Sequence, residues 1–297
     1  MHRPLDGSRQ SCRQNLIAGV CVPLTVKPYS DAHAIKNMAF AFEFSTPLQA
    51  EVLTSLRQGE VHAKLLEQLP RHTEQRGVVI NFGMPQLQIP TPQPPLNGLL
   101  YDSLKPNGEP SWAVNILSNM LVVVCGEYSR WARVWERAQE FFMIVLPHIL
   151  SATAIGTVGL QYTDEFGALG NKAQFTLNGV FNPESRFIPR NIIGAHGPCH
   201  SHHGFFEHID TPSPSRVLTN VNVDVGEDSG KMKINITTAH RCIFASPIPG
   251  TSDQLLAANG VIGKTFAALH VLNKSVVGDI LTTDVKAAIN FDRPPQA

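Results

Sequence analysis

Residues 112–117 and 120–125 form two short apolar runs separated by Ser118 and Asn119, and read as consecutive strands. Tyr128 and Trp131 follow, then a helical stretch through Leu146 with Val134, Ala138, Phe141 or Phe142, and Val145 on one face. Residues 157–163 read as a third strand, and the aromatic pair at the strand-to-helix junction can wedge the helix onto the sheet. A similar order recurs later. Residues 174–181 are a strand candidate, residues 216–225 and 231–238 alternate apolar and polar, and the turn chemistry of Gly226 to Gly230 joins the last two as a hairpin. A helix over residues 263–281 then carries Phe266, Leu269, Leu272, Val276, Val277 and Ile280 along one stripe. Strand, strand and helix in both halves predict an α+β fold of two similar lobes, each an antiparallel sheet packed by helices, as a pseudo-duplication would leave them. The lobes fall at residues 34–168 and 169–290, after an irregular segment at 1–33.

Within the first lobe, Phe40, Phe42 and Phe44 share one face of an extended segment over residues 34–44. Thr46 and Pro47 open a helix over 48–56, a second helical run covers 61–69 before Pro70, and 78–82 reads as a short strand. Seven prolines between 85 and 110 predict a loop or exposed arm, because proline fixes φ and lacks the N–H of a ladder.

The chain has 297 residues, enough to bury roughly 75% of its unfolded surface. Only 16% of residues are charged, against about 25% in ordinary soluble domains, which hints at protein-covered surface. Twenty-four basic and 24 acidic residues leave a formal net charge of zero, so no global field favours nucleic acid or an anionic membrane. Five scattered cysteines without a paired spacing argue against a disulfide framework and for a reducing cytoplasm. No window approaches the roughly 20 uninterrupted apolar residues of a membrane helix.

Chemistry concentrates in residues 196–208, where His196, Cys199, His200, His202, His203 and His208 are candidate ligands for a divalent transition metal such as zinc. Gly197, Pro198 and Gly204 predict a loop there, and no recognised ligand spacing is present. Cys199 beside His200, and Cys242 near His240 and Arg241, are weaker candidates for an activated thiol. Gly260, Gly263, Lys264 and Thr265 resemble the end of a phosphate-binding loop, but Ala258 stands where the leading glycine belongs. Asp224, Glu227 and Asp228 group near the hairpin and read as a solvated acidic turn.

Trp112 opening a strand, Tyr128 to Trp131 entering a helix, the run from Gly159 through Leu160 and Gln161 to Tyr162, and Leu269-His270 on the last helix together resemble a sporadically distributed, functionally uncharacterised prokaryotic protein family. The likeness spans most of residues 34–285. That family usually has arginine where Gln161 stands and asparagine where Thr163 or Asp164 stands. The resemblance implies a fold and a cellular context, and the patchy distribution is like that of mobile antiviral defence and toxin-antitoxin genes. The expected function is therefore a non-catalytic protein-interaction component, such as an adaptor, neutraliser or chaperone-like element, with a protein partner or a second copy of the chain. Trp112, Tyr128 and Trp131 are the aromatic candidates for contact, with a structural role as the plainer reading. The alternative is a metal-dependent hydrolase or nuclease built on residues 196–208.

Overall fold

The computed structural model describes residues 25–31, 33–76, 96–169, 177–195 and 197–291. Ten strands form one antiparallel sheet: β1 (Thr25–Pro28), β2 (Ile35–Phe44), β3 (Arg71–Arg76), β4 (Leu96–Leu104), β5 (Pro110–Leu117), β6 (Met120–Cys125), β7 (Ile155–Leu169), β8 (Cys199–Glu207), β9 (Ser215–Asp228) and β10 (Lys231–Ile248). Their order across the sheet is β3-β4-β5-β6-β2-β7-β10-β9-β8, with β1 continuing beside the far end of β7. The helices are α1 (Ala50–Gln58), α2 (Glu60–Gln68), α3 (Trp131–Ile149), α4 (Arg190–Ile193), α5 (Ser252–Leu256), α6 (Val261–Ile280) and α7 (Thr283–Ala288).

Alternation decides the layering. Met38, Phe40 and Phe42 of β2, Leu160 and Tyr162 of β7, and Ile234, Ile236 and Cys242 of β10 turn to one face and are buried. Val134, Ala138, Phe141 and Phe142 of α3 and Phe266 and Leu269 of α6 pack with Met38, Phe40, Phe42, Leu160, Tyr162 and Cys242, and Val276, Val277 and Ile280 of α6 with Ile234 and Ile236. Trp131 lies in this layer, its ring parallel to His270 at 4.2 Å and tilted against Phe40 at 5.9 Å. Trp112 packs against Phe141 at 5.7 Å. The opposite face carries half-exposed Ala39, Ala41, Gln161, Thr163, Thr237 and Ala239, and among the described residues no helix packs on it.

Both halves of the chain thus contribute to a single sheet. Its core has two apolar clusters, but the boundary between them crosses the long strands: Tyr162 belongs to one and Phe166 to the other, as do Cys242 and Ile236. A core divided across β7, β9 and β10 does not follow the sequence halves, because strands of up to 18 residues span both clusters.

Four local expectations change. The Pro-rich arm gives way at Leu96, since the prolines gather before 96 and after 104 and leave a proline-free stretch that pairs as β4 between β3 and β5; residues 85–95 lie outside the described residues. The strand expected at 78–82 also lies outside them, as do residues 1–24. In place of a strand at 174–181, Leu177–Gly179 is a 3-10 turn and Phe181 makes one isolated bridge to Leu281; residues 174–176 are not among those described. Residues 199–207 are a strand and not a loop, because every residue from Cys199 to Glu207 has a register partner on β9 despite Gly204. The hairpin turn is tighter than expected, with only Ser229 and Gly230 between paired Asp228 and Lys231, both at positive φ as a two-residue turn requires.

Among the described residues one helical stretch, Ser252–Ile280, is long and apolar enough to cross a membrane, which differs from the expectation drawn from the sequence. Its sheet-facing residues Ile262, Phe266, Leu269, Val276 and Ile280 are buried in the core. Gly260 and Gly263 open α6 where the last carbonyls of α5 approach. A Cβ would meet the Gln254 carbonyl oxygen at 2.3 Å in the first case and the Ala257 carbonyl oxygen at 2.3 Å in the second. The likeness to a phosphate loop is thereby explained by helix-to-helix contact, and Thr265 Oγ1 donates to the Val261 carbonyl in its own helix.

Candidate functional site

The His-rich segment is the outermost strand, β8. One edge pairs with β9 in unbroken register from Cys199 opposite Val225 to Glu207 opposite Val217. No strand lies on its other edge among the described residues. The two-residue period of a strand divides the candidate ligands. His200, His202 and Phe206 point to the bare face and are exposed, Phe206 at 61%. Cys199, His203 and Phe205 turn to the helix-packed face and are half-buried, His203 lying over Phe205 at 5.9 Å and Phe205 over Phe187 at 5.2 Å. His208 is exposed beyond the strand, and His196 lies outside the described residues. Among the described residues no three His, Cys, Asp or Glu side chains of one chain converge as a metal site.

On the bare face, His200 Nδ1 is 2.5 Å from Asp224 Oδ1, and Asn222 Nδ2 donates to Asp224 Oδ2 at 2.9 Å. A shallow groove of about 560 Å³ adjoins them, lined in part by Pro198, Cys199, His200, Asp224, Asp228 and Lys233. Its charges are paired internally: Lys233 lies 3.2 Å from Asp228 and 3.3 Å from Glu165, and Glu165 is also bonded by Lys36 at 2.8 Å. Further along this face Arg241 of β10 reaches over Gly159 of β7 to Glu43 of β2, with two bonds of 2.8 and 2.7 Å.

Beneath α6 a second group of polar side chains follows the boundary between the apolar clusters. His240 Nε2 donates to Asn273 Oδ1 at 3.1 Å, so its Nδ1 accepts from the Thr219 hydroxyl at 2.9 Å. Thr238 donates to the same Asn273 oxygen at 2.5 Å, and Tyr162 is bonded to His270 Nδ1 at 2.8 Å. Burial pushes both imidazoles down to about 4 and holds them neutral. Asp164, two residues beyond Tyr162 on the same face, is buried. Burial raises its carboxyl to about 7. Burial likewise raises Tyr128 to about 12, Asp164 adding to the effect, while His33 Nε2 donates to the Tyr128 carbonyl at 3.0 Å. Thr219, Thr238, His240 and Asp164 form no motif in the sequence. The signal was present: all four fall where strand alternation calls for an apolar residue.

The candidate thiols are separated from their sequence neighbours. His200 and Arg241 project from the strand face opposite Cys199 and Cys242, respectively. Burial raises the pKa of Cys199 and Cys242, and that of Cys125 to about 11, which disfavours the nucleophilic thiolate. These three described cysteines are free thiols.

No protein-family model matches the chain, and no curated protein matches it.

Proposed function

We propose that this chain is a non-catalytic, cytoplasmic protein-interaction component that docks a partner strand on the outer edge of β8. The observation that carries the reading is the character of that edge. It is nine residues long, free of bulges, and without lysine, arginine or proline, the devices by which natural sheets discourage strand addition. Addition of a strand supplies backbone hydrogen bonds, and exposed His200, His202 and Phe206 supply side-chain contacts on the bare face. The low charge content of the chain favours the same reading. The hydrolase alternative requires ligands that strand alternation sends to opposite faces, and no observation favours it.

Phe206→Lys tests the reading, since it places a charge on the edge without touching the core. Tagged wild-type chain purified from its native cells should retain a stoichiometric protein partner, either another protein or a second, differently tagged copy. Phe206→Lys should lose that partner and Phe206→Leu should keep it. Equal retention by Phe206→Lys would contradict docking on β8.

A further inference from the structure

We infer that the partner of β8 is β8 of a second copy, and that His200 and His202 of both copies together ligate one divalent transition-metal ion. The inference rests on the docking reading above and names its partner and its ligand.

His200 and His202 stand two residues apart on the same face of one strand, with their Cα atoms about 7 Å apart. Asp224 fixes the first of them: with Nδ1 committed to the carboxylate, Nε2 is the nitrogen left for a metal. A carboxylate behind an imidazole in this way sets the ring orientation and raises its basicity as a ligand. Asn222 holds the carboxylate in turn. The arrangement is a supported imidazole, and both histidines are exposed.

One chain supplies only this pair, because no third His, Cys, Asp or Glu converges on it among the described residues. Zinc, nickel and copper need more ligands than two. A second copy supplies them through geometry already present. In an antiparallel β8 pair with its two-fold axis at Ser201, His200 of each copy lies opposite His202 of the other. Facing residues on one side of such a pair are about 5 Å apart. Four imidazoles then surround one point on the bare face. The strand brings no cation to repel the ion. A two-fold axis also requires the two edges to be the same surface, which an unbulged strand whose single charge, Glu207, lies at the end far from the axis satisfies without juxtaposing like charges.

The full-length chain at micromolar concentration, titrated with zinc chloride, provides the test. Light scattering should show the mass doubling, with bound zinc saturating at one ion per two chains and the dimer reverting on addition of a chelator. His202→Ala should weaken zinc-driven dimerisation by about tenfold or more, and circular dichroism should confirm that it folds as wild type does. His208→Ala, whose imidazole lies beyond the strand, should respond to zinc as wild type does. A dimer indifferent to zinc and chelator would overturn the metal site while leaving β8 docking intact. Zinc bound without a change of mass, or a His202→Ala chain that dimerises as readily as wild type, would overturn the inference. If Phe206→Lys also left partner retention unchanged, the docking reading would fall with it.

Discussion

The two ends of the sheet are built in opposite ways. At one end β3 places Arg71, Glu74 and Arg76 on the outermost strand, pairs them with Asp102 and Arg57 and with one another, and ends on a bulge at Gln75 and Arg76. Behind it Leu99 and Tyr101 are buried between the sheet and helices α1 and α2, with the Tyr101 hydroxyl 2.9 Å from His62 Nδ1. At the other end β8 has a regular register and a single charge, Glu207, while the layer behind its neighbours β9, β10 and β7 contains buried His240, Asn273 and Asp164. Three charged side chains therefore line one edge strand and a single one, at its end, the other. The difference teaches that β3 carries the charges and the bulge by which sheets discourage strand addition, and that β8 lacks lysine, arginine, proline and a bulge.

The largest expected effect concerns the polar groups on the β8 side. Asp164 has a folded pKa raised to about 7, so the stability of the neutral acid is fully present below its unfolded value near 4 and is lost as pH rises through 7. His240 and His270 act in the opposite sense. Their folded values near 4 give stability that is present above about 6.5 and lost as pH falls toward 4. Asp164→Asn should gain on the order of 2–4 kcal/mol over wild type at pH 8, and less at pH 5. Urea melts at both values read this, and an offset that does not change with pH would contradict it.

Next in size is the contrast between edges. Phe206→Lys should weaken association through β8 by about tenfold, roughly 1.4 kcal/mol, whereas Thr73→Lys on β3 should leave it unchanged in sedimentation velocity. Equal effects would erase the distinction. A smaller change is expected from Arg241→Met, which removes the bidentate tie to Glu43 across β7. The pair is partly exposed, so the loss should be about 0.5–1 kcal/mol and should shrink in high salt. Smallest of all, replacing Arg71, Glu74 and Arg76 together with threonine should give β3 a weak, concentration-dependent association that wild type lacks at that edge.

Much of the layout was legible because its physics is local. Phe40, Phe42 and Phe44 report a strand by their period, and Phe266, Leu269 and Val276 report a helix by theirs. The single sheet was not legible, since β2 lies between β6 and β7 through contacts that no short window contains. Proline density concealed β4, whose own nine residues hold no proline. At the candidate site, His200 and His202 were visible as residue types. Their separation from Cys199 and His203 became apparent only with the strand, because a loop sets no facing and a strand sets it at every residue. Asp224 lies 24 positions from His200, and only the β8–β9 register reveals the pair.

Backbone amide hydrogen exchange along β8, measured in a dilution series of the zinc-loaded chain, tests the central claim most directly. Pairing of two copies about Ser201 predicts that the outward-pointing amides of 199–203 become at least several-fold more protected as the chain is concentrated, while those of 71–76 on β3 do not change. Exchange of those outward-pointing amides that is the same at every concentration, or protection that grows at β3 instead, would contradict the account.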